Sequence, residues 1–294
     1  MISYDFTTTT HGKWILAGEH AVIRGHSALV FPVNEKKLTL HYHPSSSKLS
    51  ANYEGDCGAD THLLFWSVLE QGFQLLDSSI NHLNGHFHLT SNIPVGVGMG
   101  ASAALCVAMA RWFEAQHLLK NRDVHTFAKQ LEHLFHGQSS GLDIAGVASA
   151  NGVFFKQGSY QPIKQAWHPQ WYLSSCGQIG ITSHCISQVQ ALWEQDALLG
   201  GRIDKQMAES VTEAQEALQH KTADSFIKLT NSINNASDCF SQWGLVSERL
   251  QKHIQYLKEN GAVAVKPTGS GGGGYTISLW KSKPPKMDVE LIAI

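Results

Sequence analysis

Pro94-Val95-Gly96-Val97-Gly98-Met99-Gly100-Ala101-Ser102-Ala103-Ala104 sets glycine at every second position and then runs into a row of small residues. Glycine lets a backbone enter the left-handed region and come close to a ligand. Ser102 to Leu118 reads as a helix, so the glycines feed directly into a helix N-terminus, whose N–H groups and positive dipole end favour phosphate. The spacing is neither the GxxxxGK[ST] of a Walker loop nor a strand-anchored GxGxxG. A phosphate cradle here is therefore of another type, and a plain tight strand-to-helix turn fits the same residues.

Outward from this loop the pattern alternates strands and helices. Upstream, Lys13 to Ala17, Leu38 to Tyr42 and His86 to Thr90 read as strands, and His62 to Leu76 has the apolar spacing of a helix. Downstream, Val124 to Phe135 predicts a helix and Asn151 to Phe155 a buried strand. After Gly158 the composition shifts to Gln, Pro and Trp, including Pro162, Trp167, Pro169 and Trp171, which sets the expected domain boundary: 1–158 and 159–294. The second part predicts helices over Ser187–Leu198, Asp204–Leu218, Ser225–Ser232 and Ser247–Asn260, with strands Ala262–Lys266 and Tyr275–Trp280 around a second glycine run.

Composition excludes several functions. The 22 Lys+Arg against 24 Asp+Glu give a formal charge of −2 and no electrostatic case for nucleic acid. With 16% charged and 43% hydrophobic residues the chain is not of the disordered class. No apolar run approaches the roughly 18 to 20 residues that span a bilayer, and Met1 to His11 lacks the cationic and apolar regions of a signal peptide. The expectation is a cytoplasmic protein with no membrane partner. Cys57, Cys106, Cys176, Cys185 and Cys239 are odd in number and form no C-x-x-C pair, so reduced thiols are expected. The His41-Tyr42-His43 and His86-Phe87-His88 pairs would project two imidazoles each from one strand face, but a zinc site needs three or four converging ligands.

Three further segments carry groups suited to chemistry. Glu132-x-x-x-His136-Gly137-Gln138-Ser139-Ser140-Gly141-Leu142-Asp143 sets one carboxylate late in a helix and another just past it. Magnesium-dependent phosphoryl transfer needs hard oxygen ligands and a carboxylate near the attacking hydroxyl; a solvated Glu132, an N-capping Asp143 and a His136 facing the helix dipole are the plainer reading. Lys266-Pro267-Thr268-Gly269-Ser270-Gly271-Gly272-Gly273-Gly274 contains four consecutive glycines, costly to order unless packed against a ligand or another backbone. Gly12-Lys13-Trp14-Ile15-Leu16-Ala17-Gly18-Glu19-His20-Ala21-Val22-Ile23-Arg24-Gly25 places Lys13, Glu19 and His20 around a short strand and turn.

In this order the four segments resemble the GHMP kinase superfamily: an N-terminal K-x-x-L-x-G-E-H-x-V-x-x-G, a P-x-x-x-GLGSSA-like loop, E-x-x-x-HG-x-x-SG-x-D, and a C-terminal K-x-TG-x-GGGG. Glu19-His20-Ala21-Val22 is similar to the mevalonate kinases within it, rather than to galactokinases, which continue with Asp-Tyr-Asn, or phosphomevalonate kinases, which more often have Glu-Tyr. Departures are Met99 for Leu, Ala101 for the first of two serines, Ser139 for Pro, Ile144 for Asn and Ser270 for Ala.

The resemblance implies an α+β fold of two domains, an N-terminal mixed α/β domain and a ferredoxin-like C-terminal α+β domain, with the active site in the cleft between them. It implies ATP and Mg2+ as cofactors and mevalonate as substrate, phosphorylated on its primary hydroxyl in isoprenoid synthesis. ATP would lie on Pro94, Gly96, Gly98, Gly100, Ala101, Ser102 and Ala103; Ser102 and Glu132 would hold magnesium. Asp143 and Lys13 would be catalytic, and Glu19, His20, Thr268 and Gly269 would bind the acceptor. Other acceptors (phosphomevalonate, a sugar, homoserine) remain open, a phosphorylated one needing extra cations, for which Arg24 and Lys156 are the nearby candidates. A non-catalytic ligand sensor is the reading from another class, and a homodimer is implied by analogy.

Overall fold

The computed structural model describes residues 5–136 and 139–294 of the 294-residue chain; Gly137 and Gln138, inside the Glu132–Asp143 motif, lie outside the described residues. The elements are β1 (Phe6–Ala17), β2 (Ser27–Lys48), β3 (Ser50–Glu54), α1 (Gly58–Leu75), β4 (Asn84–Ser91), α2 (Ala101–Ala115), α3 (Val124–His136), α4 (Leu142–Ala148), β5 (Val153–Lys156), β6 (Ser159–Pro162) and β7 (Gln170–Ser175). There follow α5 (Thr182–Gln195), α6 (Ala197–Gln219), α7 (Ser225–Gln242), α8 (Glu248–Glu259), β8 (Ala264–Pro267), β9 (Tyr275–Trp280) and β10 (Ile292–Ala293). Among the described residues no helix is long and apolar enough to cross a membrane.

The chain forms two compact units that are not consecutive halves. The first holds residues 1–13, 32–95 and 99–150, the second 14–31, 96–98 and 151–294. The long strands β1 and β2 each run through both, so a boundary placed by composition at one point of the chain meets a fold that changes unit several times. Residues 151–158, with β5, cluster with the second unit.

In the first unit β4 pairs antiparallel with β2, from Leu38↔Ser91 to His43↔His86, and parallel with β3, which makes the sheet mixed. Inward residues alternate along the strands: Leu38, Leu40 and Tyr42 on β2, Phe87 and Leu89 on β4. On the other face His41 lies opposite His88 and His43 opposite His86. The helix α2 lies against α1, α3 and α4. Ala103 to Ala110 are all buried, so α2 is apolar all round, as a helix enclosed by neighbours must be. Its last turns supply Trp112, whose ring meets Phe87 at 5.0 Å, and Phe113, which meets Phe73 at 5.3 Å.

The second unit contains a wholly antiparallel sheet in the order β10-β7-β9-β8. The helices α7 and α8 pack on β8, and α6 lies along α7. Leu257, Ala262, Val265 and Trp280 form one buried cluster, and Trp14 stacks on Phe31 at 4.7 Å and meets Trp171 edge-on at 4.9 Å. Trp171 is thus a core residue. The five cysteines are free thiols.

Candidate active site

In the first unit, the loop after β4 ends in a helix start built as its glycines predict. Gly100 caps α2 in the left-handed region (φ 80°), and its carbonyl accepts the Ala104 N–H at 2.8 Å. A Cβ at this position would lie 2.9 Å from Lys13 Cγ and 3.1 Å from Val147 Cγ1, so both conformation and space demand glycine. The missing side chain is what lets Lys13 pass. β1 is fixed to this helix start by two bonds: the Lys13 N–H donates to the Met99 carbonyl at 2.9 Å, and Thr10 Oγ1 donates to the Ala104 carbonyl at 3.0 Å. Arg111 on α2 donates to the Thr9 carbonyl at 2.9 Å and to the Ala148 carbonyl at 3.1 Å, which ties β1, α2 and the end of α4 together.

Within that frame Lys13 Nζ lies 3.0 Å from Asp143 Oδ1. The lysine side chain is 2% exposed and the aspartate 32%, so Asp143 is the member of the pair a substrate can reach. Glu132, at the end of α3, is 1% exposed. Its burial, and then the Asp143 carboxylate beside it, push it well above the ordinary carboxylate range. The Ser139 hydroxyl donates to Glu132 Oε2 and accepts the Gly141 N–H at 3.0 Å. A residue noted in the sequence as a departure thus orients a candidate ligand.

With its pKa raised to about 8 by burial, Glu132 holds its proton near neutral pH and gives it up on binding a hard divalent cation. Carboxylate and hydroxyl oxygens of the kind Glu132 and Ser102 carry suit a hard ion such as Mg2+, which takes few protein ligands and fills its shell with phosphate and water. Among the described residues no group of three His, Cys, Asp or Glu side chains converges as a metal site.

The expected acceptor residues lie in the second unit and are differently engaged. Glu19 is buried, with its Oε1 2.5 Å from Lys266 Nζ, which also donates to the Ile15 carbonyl at 3.2 Å and lies 5.2 Å from the Phe240 ring centroid. Thr268 Oγ1 accepts the Ile15 N–H at 2.8 Å and donates to the Ile15 carbonyl at 3.1 Å, so its hydroxyl clasps β1. Gly269 (φ 91°) approaches Gly98 of the first glycine loop.

His20 sits at φ 57°, ψ −47°, the centre of a γ-turn in which the Ala21 N–H donates to the Glu19 carbonyl at 2.6 Å. That hand of γ-turn is rare and strained, and such strain persists where surrounding contacts impose it. Here they are the Ser270 carbonyl, 2.9 Å from Nε2, and the rings of Trp243 and Phe240. Burial lowers the imidazole pKa to about 4, so it is neutral at pH 7. Donation by Nε2–H then leaves Nδ1 as an acceptor.

Sequence reasoning missed the partners that several of these side chains take. Arg24, a candidate phosphate cation, makes a two-pronged ion pair with buried Asp204 on α6, at 2.5 and 2.7 Å, and its guanidinium lies 5.1 Å from the Trp193 ring centroid. No spacing signal connects residues 180 positions apart.

The family model described as GHMP kinases N terminal domain matches residues 64–152, and the model described as GHMP kinases C terminal matches residues 214–289. The mevalonate kinase of Pyrococcus abyssi is 25% identical over 297 residues, covering 92% of this chain and 87% of that one. Among solved structures, L. major mevalonate kinase in complex with R-mevalonate superposes with a TM-score of 0.77 at 21% identity, covering 96% of this chain and 91% of the other. Streptococcus pneumoniae phosphomevalonate kinase superposes with a TM-score of 0.72 at 18% identity, covering 95% and 92%.

Proposed function

The chain belongs to the GHMP kinases, and from that premise we propose that it transfers the γ-phosphoryl group of ATP to the primary hydroxyl of mevalonate. The observation that carries the reading is the Lys13–Asp143 pair at 3.0 Å, reachable through Asp143 and backed by buried Glu132, beside the N-terminus of α2.

The N-terminus of α2, at Ala101, Ser102 and Ala103, turns the positive end of the helix dipole toward the nucleotide phosphates, which it holds together with the Pro94–Gly100 backbone. Glu132 and Ser102 would hold Mg2+, which would supply charge neutralisation for the transferring phosphate. Asp143 accepts the proton of the attacking hydroxyl as its oxygen bonds to phosphorus and the bond to the ADP oxygen breaks. Lys13, 3.0 Å from Asp143 Oδ1, orients that carboxylate and stabilises the charge on the moving phosphoryl group. Because the transition state is loose, positioning and electrostatics supply most of the acceleration.

Mevalonate as acceptor is supported by the Glu19-His20-Ala21-Val22 string and by the mevalonate kinases among the relatives. A phosphorylated acceptor is disfavoured because Arg24 is committed to Asp204, while Lys156 lies exposed at the end of β5. The neutral His20 accepts a hydrogen bond rather than supplying a cation.

The test is ADP release from MgATP with mevalonate, phosphomevalonate, galactose and homoserine supplied singly. Release that requires mevalonate supports the reading. Release with another acceptor alone replaces the substrate and keeps the reaction, and none with any of the four, in protein that binds MgATP, favours a ligand sensor.

A further inference from the structure

We propose that Gln178 is a positioning residue for the transfer step, fixing the orientation of the Gly272–Gly273 peptide in the C-terminal glycine loop. The inference rests on the kinase reading above. Gln178 follows β7, in a stretch where no motif was legible. Its side chain is bonded at both ends: Nε2 donates to the Gly272 carbonyl at 3.0 Å, and Oε1 accepts from the Ser247 hydroxyl at 3.1 Å. Ser247 is the N-cap of α8, accepting the Leu250 N–H at 3.3 Å. The grip continues through the backbone. The Gly274 N–H donates to the Gln178 carbonyl at 2.6 Å and the Cys176 N–H to the Gly274 carbonyl at 3.0 Å, while Arg249 Nε, in the first turn of α8, donates to the Cys176 carbonyl at 2.9 Å.

This brace answers a specific weakness. Gly271, Gly272 and Gly274 have φ of 80°, 72° and 77°, and a run of glycines loses more conformational freedom on ordering than any other sequence. A trans peptide points its N–H opposite to its C=O, so holding the Gly272 carbonyl also sets the direction of the Gly273 N–H. The Gly272 N–H is already fixed on the Leu245 carbonyl at 2.7 Å. Of these restraints on Gly272, the Gln178 amide is the one supplied by a side chain, and so the one a substitution removes. The loop also touches the phosphate loop: a Cβ at Gly274 would lie 3.0 Å from the Val97 carbonyl. A rotated peptide at Gly272–Gly273 would thus be felt at Val97 in the phosphate loop.

The experiment compares the full-length protein with Gln178→Met, which removes both side-chain bonds, and Gln178→Glu, which keeps the acceptor facing Ser247 and replaces the donor facing Gly272. Amide hydrogen exchange over Gly269–Tyr275 is measured beside steady-state kinetics with MgATP and mevalonate. The expected result is exchange at least about tenfold faster in that segment in both variants, with kcat lowered about tenfold and KM for mevalonate changed less than about threefold. The thermal midpoint should stay close to that of the wild type. Unchanged exchange overturns the brace. Faster exchange with unchanged kcat, or a kcat loss that merely follows a fall in midpoint, overturns the positioning role. A wild-type protein inert toward every acceptor sinks the kinase reading instead, and the exchange arm then still decides whether Gln178 orders the loop.

Discussion

His20 carries two costs at once, a strained γ-turn and a buried imidazole. The second has a measurable sign. Its pKa is about 4 in the folded protein against 6.5 in the open chain, so below pH 6.5 the unfolded state binds a proton the folded state refuses. Stability from this group is complete above pH 6.5 and is lost as pH falls toward 4, by roughly 3 kcal/mol in total. Denaturant titrations at pH 7.5 and 5 should show about 2 kcal/mol of that loss, and His20→Gln should reduce the difference; an unchanged difference would mean that His20 is not the group responsible. At Gly100 both conformation and surroundings demand glycine. Gly100→Ala puts a β-carbon into Lys13 and Val147 at φ 80°, and should cost about 1 to 3 kcal/mol in denaturant while lowering kcat through displacement of Lys13. A variant with native stability and turnover would contradict the close passage of Lys13.

Glu19 and Lys266 join elements far apart in sequence, the turn after β1 and the strand β8. Lys266 is 0% exposed, and a buried pair broken on one side leaves an uncompensated charge. Lys266→Met should therefore destabilise by about 3 to 5 kcal/mol, and adding Glu19→Gln should recover part of it. Strict additivity in that double-mutant cycle would deny the pairing. Elements of this kind explain what the sequence makes legible. The start of α2 was readable because alternate glycines leading into small residues have few other solutions, and the starts of α3 and α7 and both ends of β9 agree with the apolar spacing. The apolar spacing predicts α7 only as far as Ser232, yet Ile233, Ala236 and Phe240 continue its buried face beyond the polar Asn234 and Asn235. β7 was read as a boundary, since Trp171 and Leu173 alternate with polar residues over too few positions to outweigh the surrounding prolines.

At the scale of the whole molecule, the motif order named the family while the units had to be seen. β1 and β2 carry the chain through both compact units, a fact of topology without local signature. The candidate catalytic residues Lys13, Ser102, Glu132 and Asp143 all fall in the first unit, and Glu19, His20, Thr268 and Gly269 in the second. They are candidates through the resemblance of four motifs to one family. What it could not give is which side chains are spent on one another, because Lys13–Asp143, Glu19–Lys266 and Arg24–Asp204 each span more than a hundred residues.

The central claim is that Asp143, held by Lys13, serves the acceptor hydroxyl in phosphoryl transfer. The most direct measurement sets Asp143→Asn beside the wild type, with MgATP affinity by calorimetry and turnover by ADP release in the presence of mevalonate. Nucleotide affinity should stay nearly unchanged while turnover falls at least about a hundredfold. Turnover close to that of the wild type would contradict the assignment of Asp143 and the mechanism built on it.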